Sequence, residues 1–505
     1  MMRLARGVFI GIGFLALIVM PEGGVMAAQS GEPPLGSVTI HPLLVAQSYA
    51  SFTEEGAEVI PDEEGNGEPE KRGVLESLDF SGSVVSKLAT DLNKNNDIED
   101  LLDFRNHLKL EAKAEVNESV KFFASYQIKY LLSKNGDTDD DLDTDLWEAY
   151  LDCTFGNWDV RIGQQIVRWG KTDELSPVDN INPQEFEEFV LPKLDKRKLP
   201  LLLAKVRYFI KGYTLEGVFI PFFKRSHITF FDSDWGAFDH LKEAVERPTI
   251  PPAIRDLVRS ARLSYDEPPN NLKNSSFGFR VSKTLEGVDV ALSYLYSRNP
   301  LPTVESAVYR GEGLRGISSL SQFFKILRRV DLTQVRSADL ALRYRRVNVW
   351  GAEMETTWGD VGIRGEVAYF HRLSFADDEL SKVNKDLVHY VLGADYTWGE
   401  NLYINLQFSQ QIVLNYEDLF YQERVTNAFN GTVNKEFMQG FLIPEVYFYW
   451  NTTDGDFYLN PSVKYKWADS VSVSVGLYIL GGDRDTLIGN YKDNDELYCA
   501  VEYTF

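Results

Sequence analysis

Two-residue alternation of apolar and polar side chains, recurring from Leu78 to Phe505 without a long uncharged apolar run, most restricts what this 505-residue chain can become. In Glu496–Phe505, Leu497, Cys499, Val501, Tyr503 and Phe505 fall on one face, and Glu496, Tyr498, Ala500, Glu502 and Thr504 on the other. In Phe104–Val116 the apolar face is Phe104, Leu108, Leu110, Ala112, Ala114 and Val116; Arg105, His107, Lys109, Glu111, Lys113 and Glu115 lie opposite. A period of two is the signature of a strand with one oily and one wet face. The fold class is therefore all-β. A soluble sandwich accommodates single strands of this kind, but here outward aromatic-rich faces recur with no second set of core residues to cover them. A transmembrane antiparallel β-barrel reconciles the two facts, because its lipid-facing residues alternate with polar lumen residues. Helical membrane spans are excluded by the missing apolar runs.

Seventeen segments carry the pattern: Leu78–Leu88, Phe104–Val116, Val120–Leu132, Leu146–Phe155, Trp158–Val167, Leu201–Lys211, Tyr213–Phe223, Phe277–Leu285, Val288–Ser297, Arg346–Trp358, Val361–His371, Val388–Trp398, Leu402–Val413, Phe441–Trp450, Phe457–Trp467, Val471–Leu480 and the terminal one. Short turns (Asn117-Glu118, Gly156-Asn157, Lys211-Gly212, Glu286-Gly287, Gly359-Asp360, Gly399-Glu400, Ala468-Asp469) alternate with long links, notably 224–275 and 299–337. Trp358, Trp398 and Trp467 directly precede such turns, as an interfacial aromatic girdle requires. An odd count cannot bring both termini to one side, and the alternation breaks between Leu414 and Asp456. Sixteen or eighteen strands are expected, enclosing a lumen that side chains alone do not fill. The terminal Phe505 on an alternating strand is similar to the closing strand read by the barrel-assembly machinery of Gram-negative outer membranes.

The N-terminus is consistent with export. Arg3 and Arg6 precede the apolar run Gly7–Met20, and Val25-Met26-Ala27-Ala28 supplies small residues for cleavage, so residues 1–28 read as a signal peptide. Residues 29–77 read as a flexible acidic periplasmic segment and 78–505 as the barrel. The formal charge is −23; removing Arg3, Arg6 and Glu22 turns 52 basic and 75 acidic residues into 50 and 74, or −24. That balance argues against nucleic acid or anionic lipid as a partner and fits acidic surface loops that meet divalent cations at a cell surface; the partners expected of an outer-membrane barrel are outer-membrane lipid and lipopolysaccharide. The two cysteines, Cys153 and Cys499, fall on outward faces and are expected to be free and buried.

The most distinctive stretch is 161–200. It holds Arg161, Gly163-Gln164-Gln165, Val167-Arg168-Trp169-Gly170-Lys171, Asp173, Asp179 and Asn182-Pro183, and ends in Lys196-Arg197-Lys198-Leu199-Pro200. Too long for a turn, the link 168–199 is expected to fold into the lumen as a constriction. Its charges are segregated, with Asp173, Glu174, Asp179, Glu185, Glu187 and Glu188 first and Lys193, Lys196, Arg197 and Lys198 last. Opposed limbs of this kind set a transverse field across a pore; they serve equally as internal salt bridges of a structural loop. Arg105, Lys109, Lys113, Arg161, Arg168 and Arg197 are candidate lumen or gate cations. Residues 163–183, with Pro200–Phe223 (Leu215-Glu216, Ile220-Pro221-Phe222) and Trp350-Gly351 to Tyr369 (with Glu366), resemble a family of uncharacterised outer-membrane proteins, domain of unknown function 1302. The resemblance implies an outer-membrane barrel often associated with inner-membrane exporter systems for hydrophobic molecules.

Other motifs dissolve on inspection. Gly170-Lys171-Thr172 lacks the earlier glycine of a phosphate loop, since Gln165 stands there. Asp137, Asp139, Asp141, Asp143 and Asp145 with Glu148 imitate a calcium loop, but Leu142 occupies the glycine position, so a solvated acidic loop is expected. The six histidines show no ligand spacing, and neither cofactor nor enzyme is indicated. Leu320, Phe323, Phe324 and Leu327, and Phe238, Leu241 and Val245, have helical spacing within the long links. The function expected is passage of hydrophobic or amphipathic small molecules, gated by 168–199 and these helical loops. The alternatives are a diffusion porin for acids or oligosaccharides, a barrel protease or phospholipase, and a surface adhesin or receptor.

Overall fold

A computed structural model describes residues 77–505 apart from 93–101, 136, 174, 231–232, 234, 237–261, 312–334, 377–381, 418–421 and 485. Eighteen antiparallel strands form one sheet that closes on itself. In chain order they are β1 Asp79–Asp91, β2 Leu102–Asn117, β3 Val120–Asn135, β4 Asp137–Phe155, β5 Trp158–Gln165, β6 Leu201–Ile210, β7 Tyr213–Ile220, β8 Ser276–Leu285 and β9 Val288–Arg298. β10 Arg346–Trp358, β11 Val361–Ala376, β12 Lys382–Trp398, β13 Leu402–Leu414, β14 Val425–Lys435, β15 Leu442–Asn451, β16 Phe457–Ala468, β17 Val471–Gly481 and β18 Glu496–Thr504 complete the wall.

Closure is made where β18 meets β1, with Thr504 opposite Ser83 and Glu496 opposite Asp91. Gly82 and Phe505 exchange both backbone hydrogen bonds, at 2.8 and 3.0 Å. Position 82 has to be glycine, because a Cβ there would come within 2.6 Å of the Phe505 ring that covers the seam. A closed sheet leaves no strand edge unpaired, the condition for strands in a hydrocarbon medium.

The eighteenth strand is β14, inside the stretch where the short–long alternation breaks. Its outward face is Val425, Asn427, Phe429, Gly431 and Val433, so asparagine and glycine interrupt the apolar stripe that would have marked it. Strand β4 begins at Asp137, not Leu146. The acidic run expected as a solvated loop is an arm of this strand, paired in register with Gln127–Asn135 of β3. Residues 140–144 are all exposed, which is why charge is tolerated there: backbone pairing asks nothing of side chains with water on both faces.

Leucine, valine and aromatic side chains cover the outside of the barrel. At the short-turn end Trp358, Trp398 and Trp467 are 81%, 67% and 75% exposed, the most exposed tryptophans of the wall. Cys153 is half-buried and Cys499 exposed on the same outer surface, both free; neither is buried within the protein. Most of the buried apolar residues among those described form two clusters inside the barrel, each joining wall residues to residues of the link between β5 and β6. At the long-loop end, Arg262–Asp266 pairs parallel with Asp339–Arg343, and Thr303–Gly311 pairs antiparallel with the same strand. Both stripes of helical spacing, residues 1–28 and nearly all of 29–77 lie outside the described residues.

Val475 on β17 is exposed on the outer face. Val475→Arg is expected to cost about 2–4 kcal/mol in denaturant titration of the barrel in bilayers; an unchanged midpoint would reverse the assignment of the two faces.

Candidate functional site

Residues 166–200 leave the wall at the end of β5 and cross the lumen before returning to β6. The departure is built into β5. Gly163 has φ +142, and a Cβ there would approach the Ala149 carbonyl oxygen to 2.2 Å. Glu148 of β4 then accepts from the Ile166 amide at 2.9 Å in place of the next rung of the sheet. Asn182 holds the neck closed: its Oδ1 accepts from Val167 N at 2.8 Å, while its Nδ2 donates to the carbonyls of Gln165 and Leu199 at 3.3 and 2.9 Å. Gln165 is fully buried and donates to the Leu203 carbonyl at 3.1 Å. Asp179 accepts from the Trp169 amide at 3.3 Å and pairs with the buried Lys198.

Past the neck, the first limb is fastened to the wall. The Trp169 indole donates to Glu216 of β7 at 2.5 Å and occupies the space above Gly278, where a Cβ would meet the ring at 2.7 Å. Val178 fills the equivalent space above Gly351. Glu366 of β11 is buried and takes four donors from the limb: Lys171 N at 2.5 Å, Thr172 N at 2.6 Å, Thr172 Oγ1 at 2.9 Å and Ser176 Oγ at 2.6 Å. Gly170, at φ +105, makes room for that carboxylate; a Cβ would lie 2.7 Å from Glu366 Oε1 and 2.2 Å from Ser176 Oγ. Asp173 Oδ2 then meets Arg364 of β11 and Asn405 of β13 at 2.5 Å each and Gln407 at 3.2 Å. Burial raises the Asp173 carboxyl pKa, with the Arg364 guanidinium opposing it. Lys171 reaches Glu355 of β10 at 2.8 Å.

The second limb is fastened elsewhere. Glu187 pairs with Arg105 at 2.7 Å and Glu188 with Lys87 at 2.5 Å, both on the β1–β2 side. Burial pushes the Glu188 carboxyl up, but Arg105 and Lys87 outweigh it and hold it at about 2. Lys193 reaches Glu445 of β15 at 3.2 Å. Arg197 is buried with its guanidinium 5.5 Å from the Phe186 ring. The two limbs therefore do not oppose each other as acidic and basic poles. Apart from Lys198–Asp179, each ion pair named here joins the loop to a wall residue of opposite sign.

The remaining candidates are dispersed. Arg161 pairs with Asp152 at 2.5 Å and stacks on Tyr150, while Lys109 pairs with Glu111 at 2.7 Å. Lys113 lies 5.9 Å from the Phe123 ring, Arg168 donates to the Thr172 carbonyl of its own loop at 2.9 Å, and Lys196 is exposed. Of these five, Arg161 and Lys109 pair with acids of the wall itself. Sequence reasoning missed the wall partners Lys87, Arg364, Asn405 and Gln407, single polar residues on lumen faces with no spacing of their own. Among the described residues, no group of three or more His, Cys, Asp or Glu side chains is placed to hold a metal ion.

Residues 93–505 match the model of the protein family of unknown function DUF1302. The chain belongs to that family. No curated protein matches it. Among solved structures it is similar to Pseudomonas aeruginosa OccK5 (OpdH), at 10% identity and TM-score 0.46, covering 86% of this chain and 99% of that one. It is similar also to Acinetobacter baumannii OccAB1, at 9% identity and TM-score 0.46, covering 86% and 98%. For Salmonella typhi OmpF in complex with daunomycin the figures are 10%, 0.38, 85% and 97%.

Glu366→Ala removes the acceptor of two successive amides, Lys171 N and Thr172 N, and is expected to weaken seating of the loop by about 3 kcal/mol. Hydrogen–deuterium exchange should rise across 167–182 while the barrel strands stay protected. Gly170→Ala should raise exchange over the same residues; protection unchanged in both variants would show that the loop is held by other contacts.

Proposed function

We propose that this chain is a non-catalytic channel of a Gram-negative outer membrane that passes hydrophobic or amphipathic small molecules, with residues 168–199 as its gate. The observation that carries this reading is the loop tied from wall to wall through a polar lumen. A barrel whose purpose was only to anchor a surface domain has no need of so wide a cylinder, nor of an internal strap fixed to β1, β2, β7, β10, β11, β13 and β15 by discrete hydrogen bonds and ion pairs. Such contacts are individually modest, and they break and reform without disturbing the strands that carry them.

The outer face supports the membrane placement, being apolar around the wall and ringed with tryptophan at the short-turn end. Phe505 on the seam supports handling by the barrel-assembly machinery. Energy, where transport is uphill, comes from an inner-membrane exporter, because the outer membrane holds neither nucleotide nor a comparable potential. Aromatic side chains along the inner wall of β15 to β18 favour an apolar or amphipathic cargo: Tyr447, Tyr458, Tyr478 and Tyr498 follow one another with ring centroids 5.6, 6.0 and 4.6 Å apart.

In planar bilayers, the purified chain lacking 172–198 is expected to conduct several-fold more than the intact protein. Equal conductance of the two would remove the gate, and no conductance from either would remove the channel.

A further inference from the structure

Glu187 and Glu188 belong to the loop, whereas what receives them belongs to the wall. Glu188 Oε2 lies 2.5 Å from Lys87 Nζ on β1 and 3.7 Å from Arg105 Nε on β2, and Glu187 Oε1 lies 2.7 Å from Arg105 Nη1. Asp103 stands on the far side of Arg105 at 3.2 Å, and Glu496 also acts electrostatically on Lys87, so the wall cations have wall acids as well as loop acids around them. Lys87 is in turn framed by tyrosines, its Nζ 5.1 Å from the Tyr478 centroid and 5.7 Å from that of Tyr498. Beyond the cations runs the tyrosine row.

The loop residues that follow Glu188 are Phe189, Val190 and Leu191. Phe189 and Leu191 are buried in the same apolar cluster as Tyr449, Tyr458, Tyr478 and Tyr498, and Val190 packs against it. Val190 and Leu191 face Tyr447, Tyr449 and Tyr458 across a small pocket. The limb thus presents a carboxylate head on a cation pair, followed by an apolar body along an aromatic wall. That is the outline of an anionic amphiphile, built from peptide.

We propose that Lys87, Arg105 and the tyrosine row form a binding site for a monocarboxylate with an apolar body, and that residues 187–191 occupy it as a built-in surrogate until such a cargo displaces them. The proposal rests on the channel reading for its route of access and names the cargo class. A neutral lipid would leave both cations without the partner that the loop supplies, and a cationic amphiphile would be repelled by them. A carboxylate takes the place of Glu188 between Lys87 and Arg105, and Asp103 remains beside Arg105 when Glu187 leaves, so charge-assisted contacts are exchanged at the head while the body replaces Phe189–Leu191 on the tyrosines.

The test uses the full chain in lipid nanodiscs with tritiated dodecanoate as probe, read by scintillation proximity. The double variant Glu187→Gln, Glu188→Gln weakens the surrogate and should bind dodecanoate at least tenfold more tightly. Arg105→Gln and Lys87→Gln should each bind it at least tenfold more weakly, and dodecanol should compete at least tenfold less well than unlabelled dodecanoate. Affinity unchanged in the double variant and in both cation variants overturns the site, as does equal competition by dodecanol. Because Arg105→Gln and Lys87→Gln alter different strands, a folding defect in one leaves the other as the measurement. Planar-bilayer conductance keeps the two readings apart. Conductance that rises in the double variant with dodecanoate affinity unchanged in that variant and in both cation variants rejects the site and leaves the channel; dodecanoate binding with no conductance from any form does the reverse.

Discussion

A length of chain can enter the lumen of a barrel only when the backbone groups it carries inward find partners there, and this loop finds them on side chains of the wall. The Glu366 carboxylate receives two successive amides and two hydroxyls, and Glu148 caps the amide at the point of departure. Asn182, from within the loop, closes its neck on both sides. An unpartnered buried amide costs about 1–3 kcal/mol, so these acceptors decide whether the loop lies inside or outside. The apolar clusters and the ion pairs follow from that placement.

Glycines at facing positions make the docking close. Gly278 and Gly351 are on different strands and each leaves space for one side chain of the loop, Trp169 and Val178. Gly170 does the converse, bringing the loop backbone against a wall carboxylate at a φ that other residues rarely adopt. Three segments distant in the chain, around 163–183, 215–216 and 350–366, meet in this one contact. The motifs that suggested a family are thus the two halves of a latch.

The limbs differ in the chemistry of their attachment. The first is fixed mainly by hydrogen bonds to uncharged and carboxylate side chains, in a setting closed by Trp169 and Val178. The second rests on ion pairs at the β1–β2 side and on aromatic faces from β15 to β18. Ion pairs and ring contacts exchange for similar groups on another molecule more readily than a pocket shaped around backbone amides does. The second limb is therefore the more replaceable of the two.

Much of the wall was legible because a strand that separates oil from water must alternate. Trp358, Trp398 and Trp467 located short turns for that reason, and Leu497 to Phe505 gave the facing of the seam. β14 escaped because Asn427 and Gly431 break its apolar stripe, and the acidic arm of β4 escaped because the exposed side chains of residues 140–144, wet on both faces, leave no period to read. The partners inside the lumen were not legible at all. Segregated charges on 173–198 read as two facing poles, yet Asp173 finds Arg364 and Glu188 finds Lys87, on strands far away in the chain. Alternation is a property of one strand and its solvent, so sequence alone determines that this chain is a cylinder with an oily outside. Which lumenal residue meets which loop residue depends on how the strands are staggered around the closed sheet, and only the tertiary structure decides that.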